Sequence, residues 1–114
     1  MSPKISAMIS CLLLAASSTA FAAEVSPVID NKSCEPPKYP KAALMNEETG
    51  TVSMGFLVAV DGKVVESKVE KSSGSKSLDK AALSALSLCK FKPGTKDGKP
   101  EQLWAKVDFV WKLE

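Results

Sequence analysis

Three stretches of the chain alternate between apolar and polar residues, as strands with one buried face do. "TVSMGFLVAV" and "KVVESKVEKS" flank Asp61-Gly62, and "EQLWAKVDFVWKLE" ends the sequence. The Asp-Gly pair predicts a tight hairpin turn of the primed type, since such a turn needs the positive φ that these residues tolerate. The predicted inward-facing sets are Val52, Met54, Phe56, Val58 and Val60; Val65, Ser67 and Val69; and Leu103, Ala105, Val107, Phe109, Trp111 and Leu113.

Two other segments have the composition of helices. Pro40 suits the first turn of a short helix over "KAALMNEE", where its missing N–H costs nothing. "SSGSKSLDKAALSALSLCKF" predicts the main helix, with Ser75 or Ser77 as its N-cap. We expect Pro93-Gly94 to stop this helix.

The elements follow in the order helix, strand, strand, helix, strand. This order predicts an α+β fold in which a three-stranded antiparallel sheet carries two helices packed on one face. Such a sheet keeps one face and at least one edge open. We expect this domain to occupy residues 38–114. Residues 23–37 show no periodic apolar pattern and are predicted to form an extended arm.

The first 22 residues have the layout of a secretory signal peptide. Lys4 supplies a positive charge, residues 5–16 form an apolar run, and Ala20-x-Ala22 has the small residues of a cleavage site. We therefore expect an exported protein that is cleaved after Ala22. The alternative is an uncleaved membrane anchor, because residues 5–23 are nearly long enough to span a bilayer.

The charge balance argues against a nucleic-acid partner. The chain has 15 basic and 13 acidic residues, and removal of Lys4 leaves a net charge of 14 − 13 = +1. Every basic residue is a lysine. The sequence therefore lacks the bidentate guanidinium groups that recognise phosphates and guanine edges.

The residue types also argue against an enzyme. The chain contains no histidine, so a Ser-His or Cys-His nucleophile cannot be assembled. No glycine spacing of a dinucleotide-binding or phosphate-binding loop is present. The sequence predicts a binding protein that uses no cofactor, no metal and no small-molecule substrate.

Two cysteines remain after the predicted cleavage, Cys34 and Cys89. In an exported protein an even pair predicts a disulfide. A two-cysteine zinc site is the competing interpretation, but no histidine or further cysteine could complete it. Two prolines that follow Cys34 would keep the chain extended and place the sulfur at a defined distance.

Six short motifs, in this order, resemble the C-terminal domain of TonB-family energy transducers. They are Tyr39-Pro40, Gly50-Thr51-Val52, Asp61-Gly62, Leu78-Asp79, Phe91-Lys92-Pro93 and Gly98-Lys99-Pro100. The matching segments run from Pro37 to the end of the chain. The resemblance implies the fold described above, with the last strand at a sheet edge.

The resemblance also implies a partner, a TonB-dependent outer-membrane transporter or another envelope protein. An extended segment of the transporter, the TonB box, would pair with the last strand by strand addition. The implied contact residues are Tyr39, Pro40, Trp104, Lys106, Val107, Asp108, Phe109, Val110 and Trp111.

Three functional hypotheses follow. The first is a periplasmic TonB-like domain that binds its partner through the sheet edge. The second is an energy transducer anchored in the inner membrane by the uncleaved segment, supporting siderophore or nutrient uptake. The third is a small secreted inhibitor or structural module. An open edge is also compatible with a homodimer.

Overall fold

The computed structural model describes residues 23–114, and the predicted signal peptide lies outside the described residues. A 3₁₀ turn, Asn31–Ser33, follows the second strand. The strands and helices are β1 (Glu24–Val25), β2 (Val28–Asp30), α1 (Lys41–Met45), β3 (Gly50–Val58), β4 (Val64–Lys71), α2 (Lys76–Leu86), β5 (Lys90–Lys92), β6 (Gly94–Lys96), β7 (Lys99–Glu101) and β8 (Leu103–Trp111).

The central sheet has the strand order β4–β3–β8, with both pairs antiparallel. β3 lies in the middle and buries its inward residues completely: Val52, Met54, Phe56 and Val58. The helices add Ala43, Leu78, Ala82 and Leu86 to the same core. Full burial of each large apolar side chain contributes about 1.5–3 kcal/mol. Antiparallel sheets combined with two helices confirm the predicted α+β class.

The predicted alternation of β4 is wrong at the start of the strand. Val65 is expected to face inward, but it is exposed, whereas Val64 is half-buried opposite Val58. Leu57 pairs with Glu66 and Val58 pairs with Val64, so Val65 is an extra residue in the ladder. An extra residue of this kind is a β-bulge, and it moves the neighbouring side chains to opposite faces.

The prediction of a primed turn at Asp61-Gly62 is also wrong. Of these two residues only Gly62 has a positive φ, +89°. The Gly62 N–H donates to the Ala59 carbonyl, and the Ala59 N–H donates to the Lys63 carbonyl, both at 2.9 Å. These bonds close a three-residue loop, in which a type I turn is followed by a left-handed glycine.

The primed turn occurs at the second Asp-Gly pair. Asp97 and Gly98 have φ of +53° and +80° and join Lys96 to its partner Lys99. A two-residue loop with positive φ at both positions is the primed hairpin turn. β6 and β7 therefore form a small hairpin, which the sequence does not predict.

Helix α2 is capped as expected but ends earlier than expected. Ser75 is the N-cap, since its side chain accepts a hydrogen bond from the Leu78 N–H at 3.3 Å. The helix ends at Leu86, before Pro93-Gly94 is reached. The intervening residues have other partners, because Cys89 is bonded to the arm and β5 pairs with β2.

The arm is integrated into the domain. β1 pairs with β6 and β2 pairs with β5, both antiparallel, which the sequence does not predict. A disulfide joins Cys34 to Cys89, with their Cα atoms 4.8 Å apart. Beside it, the Lys90 N–H donates to the Ser33 hydroxyl at 2.7 Å. These contacts hold the arm against the end of α2.

Candidate partner-binding edge

β8 ends the strand order β4–β3–β8, and within residues 23–114 no strand pairs with its outer edge. Its register with β3 is constant from Gly50–Trp111 to Val58–Leu103. The opposite edge strand, β4, shifts register twice along β3. Bulges obstruct further pairing at an edge, whereas a regular strand presents evenly repeated N–H and C=O groups. β8 is therefore the edge suited to strand addition.

The candidate contact residues of β8 divide between the two faces of the sheet. Val107 and Phe109 face the helices and are half-buried. The alternate residues face away from the helices and are exposed: Trp104, Lys106, Asp108 and Val110. A strand added at this edge would have neighbours from both sets.

Trp111, another of the candidate contact residues, is a core residue. Its side chain is only 3% exposed, and its indole N–H is buried without a hydrogen-bond partner. Its ring contacts Phe109, with the centroids 4.8 Å apart in an edge-to-face arrangement. In this structure a partner can reach Trp111 only through its main chain.

Tyr39 joins the start of the domain to the end of β8. Its ring contacts Trp111 edge-to-face, and its hydroxyl donates to the Glu48 carbonyl. The Glu48 carboxylate in turn accepts a hydrogen bond from the Ser75 hydroxyl at 2.6 Å. Pro40 directly precedes α1, so the Tyr-Pro pair positions this helix near the end of the edge strand.

Trp104 lies on the open face of the sheet and is 39% exposed. The ammonium group of Lys68 lies 4.5 Å from the centroid of its ring, a cation–π contact. A Cβ added at Gly55 would lie 3.4 Å from the ring and 3.1 Å from the Glu70 carboxylate, so the missing side chain lets the indole lie flat across β3. The orientation of Trp104 is therefore set by its neighbours in the sheet.

A groove of about 360 Å³ lies between the arm and β8. Its apolar lining comes from Ile29, Pro36, Pro37, Leu86, Val107 and Phe109. Sequence reasoning missed this groove, because the arm shows no periodic apolar pattern. The available signal was the Pro-Pro pair beside Cys34, since a bond to Cys89 brings both prolines to the end of the main helix.

The buried carboxylate of Asp79 lies in the first turn of α2. Burial raises the pKa of Asp79, but hydrogen bonds from the hydroxyls of Ser72 and Ser73 and from the Ser73 N–H outweigh it, and the pKa lies below its usual value. The Ser73 N–H donates to the carboxylate at 2.8 Å. The hydrogen-bond donors of Ser72 and Ser73 are therefore used by the protein's own carboxylate and are not available to an external anion.

In residues 23–114 no helix is long and apolar enough to cross a membrane. The same residues bring together no group of three or more carboxylate or cysteine side chains that could hold a metal ion.

The fold and the edge define a class of protein, a disulfide-linked α+β domain with a regular edge strand suited to strand addition. Residues 35–113 match the family described as Gram-negative bacterial TonB protein C-terminal, and the chain belongs to this family. It is 39% identical to protein TonB of Haemophilus influenzae over 73 residues, which is 64% of this chain and 27% of that protein. It is 36% identical to protein tonB2 of Pseudomonas aeruginosa over 77 residues, 68% of this chain and 28% of that protein.

Solved structures agree with this assignment. The solution structure of the Pseudomonas aeruginosa TonB C-terminal domain superposes with a TM-score of 0.61 at 26% identity, covering 78% of this chain and 88% of that one. A Helicobacter pylori TonB C-terminal domain gives 0.52 at 31% identity, covering 68% and 70%. This chain spans less than a third of the two curated relatives. Since the family's proteins are not enzymes, membership confirms the prediction of a non-catalytic protein.

Proposed function

We propose that this domain binds an extended segment of a TonB-dependent outer-membrane transporter by strand addition at the outer edge of β8. One observation carries the proposal: β8 keeps a constant register over its whole length and has no partner on its outer side within residues 23–114. Main-chain hydrogen bonds would supply affinity, and alternate side chains would supply specificity.

The candidate residues would have different roles. The main chain of residues 104–111 would form the new ladder. Trp104, Lys106, Asp108 and Val110 would flank the added strand on the open face, and Val107 and Phe109 on the helix face. Tyr39 would fix the end of β8 through Trp111, and Pro40 would fix the start of α1. An incoming strand then meets an edge that is already ordered, which lowers the entropy cost of binding.

We place this binding in the periplasm, after removal of the signal peptide at Ala22. Family membership supports a second function as well, in which the domain is the periplasmic end of an energy transducer that remains anchored in the inner membrane. Mass spectrometry of the N-terminus and fractionation of the envelope distinguish them. A soluble chain that begins near Ala23 contradicts the anchored form.

Strand addition is tested by titrating ¹⁵N-labelled protein with TonB-box peptides and following the amide resonances. We expect shifts in residues 102–113 and none along β4. Peptides N-methylated at odd or at even positions provide a matched control, because the N–H groups of only one of these sets point toward β8. One set should abolish binding and the other should preserve it. Unchanged β8 resonances at high peptide concentration would contradict strand addition.

A further inference from the structure

The outer edge of β8 is continuous with the groove between β8 and the arm. Val107 and Phe109 contribute to the lining of the groove, and they are also the half-buried residues along the middle of the edge. Asp108 lies between them and is the charged residue among those that border the groove. Because side chains alternate along a strand, Asp108 faces the open side of the sheet and borders the groove with its main chain.

We propose that this groove receives apolar side chains from two alternate positions of the added strand. The inference rests on the proposed strand addition and goes further, because it states the side-chain chemistry of the partner. Side chains two positions apart in a strand are separated by about 7 Å and point to the same face. A strand paired beside Val107 and Phe109 therefore directs two of its side chains toward the arm.

The lining of the groove determines which side chains it accepts. The walls are built from prolines and aliphatic and aromatic side chains, with Asn31 as a polar member. A charged or hydroxylated side chain that enters would lose water, and the mostly apolar lining offers few hydrogen-bond partners in return, which is unfavourable. A valine or leucine would remove apolar surface from water on both sides of the contact. The preferred ligand is therefore an extended segment with apolar residues at alternate positions.

The outer wall of the groove is held in place before any ligand binds. The disulfide between Cys34 and Cys89 fixes the arm to the end of α2. The pairing of β2 with β5 fixes the preceding part of the arm, residues 28–30. Pro36 and Pro37 restrict the segment that faces β8. A preorganised wall lowers the ordering cost of binding. Reduction of the disulfide should therefore weaken the apolar preference as well as the fold.

The test uses two synthetic peptides that differ only at the groove-facing positions. One is an acetylated, amidated heptapeptide in which valine and threonine alternate, and the other contains threonine throughout. Valine and threonine have nearly the same shape, so the comparison isolates the hydroxyl group. If the valines first face away from the groove, a shift of the peptide by one residue along β8 turns them toward it. We expect the all-threonine peptide to bind about tenfold more weakly.

Two variants of the protein provide the matched control. Val107→Lys places a charge in the groove, whereas Val65→Lys places the same charge at an exposed position of β4, on the opposite edge of the sheet. We expect Val107→Lys to remove the preference for the valine peptide and Val65→Lys to retain it. The amide spectrum of each free variant shows whether β3 and β8 remain paired.

The outcomes separate the groove from strand addition. If no peptide, including the TonB-box peptides, shifts the β8 resonances, the proposed function fails and the groove inference with it. If both designed peptides shift them with equal affinity, strand addition stands and the groove inference is overturned. Binding of TonB-box peptides without binding of the valine peptide also overturns it, as does a valine preference that survives Val107→Lys.

Discussion

The ring of Tyr39 lies edge-to-face against Trp111, with the centroids 4.9 Å apart. Its hydroxyl donates to the Glu48 carbonyl, so one side chain connects the segment before α1, the loop after α1 and the end of β8. Aromatic pairs of this geometry contribute about 0.5–1.5 kcal/mol beyond their buried area. The contact fixes the position of the last residue of β8 relative to the helices.

Two substitutions of Tyr39 should separate the contribution of its hydroxyl from that of its ring. Tyr39→Phe keeps the ring and removes the hydrogen bond, which should lower the free energy of unfolding by about 1 kcal/mol. Tyr39→Ala removes the ring as well and should lower it by about 3 kcal/mol. Urea unfolding followed by circular dichroism measures both. Equal losses for the two variants would show that the ring contact with Trp111 adds nothing.

The carboxylate of Asp79 should make the stability of the domain depend on pH in the acid range. Burial raises its pKa, but the hydrogen bonds from Ser72 and Ser73 lower the pKa by a larger amount. The folded value therefore lies below the unfolded value. The stabilisation is fully present above the unfolded pKa, about 3.8. It is lost as the pH falls from there through the folded pKa.

Asp79→Asn should therefore cost about 1.5–3 kcal/mol at pH 7 and progressively less below pH 4. The free energy of unfolding, measured in urea between pH 7 and pH 2, should converge for the wild type and the variant at low pH. Asp108→Asn is the matched control, because this carboxylate is exposed on the open face of the sheet. A constant difference between wild type and Asp79→Asn at every pH would contradict the argument.

The sequence predicts those parts of the molecule that depend on local periodicity. Alternation identifies the inward face of β3, and Ser75 is recognisable as a cap because it immediately precedes helical spacing. The same Asp-Gly dipeptide, however, forms two different turns. At Gly62 the main chain of Phe91 approaches and its N–H donates to the Gly62 carbonyl, a tertiary contact that no local sequence pattern shows.

In the candidate site, too, local patterns predict one part and long-range contacts determine the other. The edge strand β8 is evident from its alternation, but the groove beside it is not, because its far wall comes from an arm with no periodicity. Long-range pairing of β2 with β5 and the bond from Cys34 to Cys89 bring that wall into place. Alternation places Trp111 on the inward face, where the structure buries its indole, whereas the family resemblance implies a contact role for the same residue.

The two Asp-Gly turns permit a matched test of that tertiary contact. A Cβ at Gly62 would lie 2.4 Å from the Phe91 carbonyl oxygen, whereas a Cβ at Gly98 would meet nothing within 4 Å. Both glycines have positive φ, so an alanine at either position carries the cost of the left-handed conformation, about 1–2 kcal/mol. Gly62→Ala carries the additional cost of moving the main chain at Phe91.

We therefore expect Gly98→Ala to lower the free energy of unfolding by about 1–2 kcal/mol and Gly62→Ala to lower it clearly more. Urea unfolding gives both values. The amide of Phe91, which donates to the Gly62 carbonyl at 2.9 Å, should exchange faster with solvent in Gly62→Ala only. Equal losses in the two variants would show that the approach of Phe91 does not constrain position 62.

The disulfide should contribute to stability chiefly by closing a long loop. Cys34 and Cys89 are separated by 55 positions, for which the chain-entropy relation gives about 4 kcal/mol. The protein as purified should be two hydrogens lighter than its reduced form by intact mass. The paired variant Cys34→Ser with Cys89→Ser should unfold at a correspondingly lower urea concentration. Two free thiols in the purified protein would contradict the bridge.

Amide exchange under native conditions distinguishes the entropic effect from a loosened arm. If the bridge acts only on the unfolded chain, every protected amide in the serine variant should lose protection by the same factor. If it also holds the arm, the amides of β2 and β5 should lose more than those of β3, because only the former lie next to the bond. We expect the second pattern, since the β2–β5 ladder has only three residue pairs and lies next to the bond from Cys34.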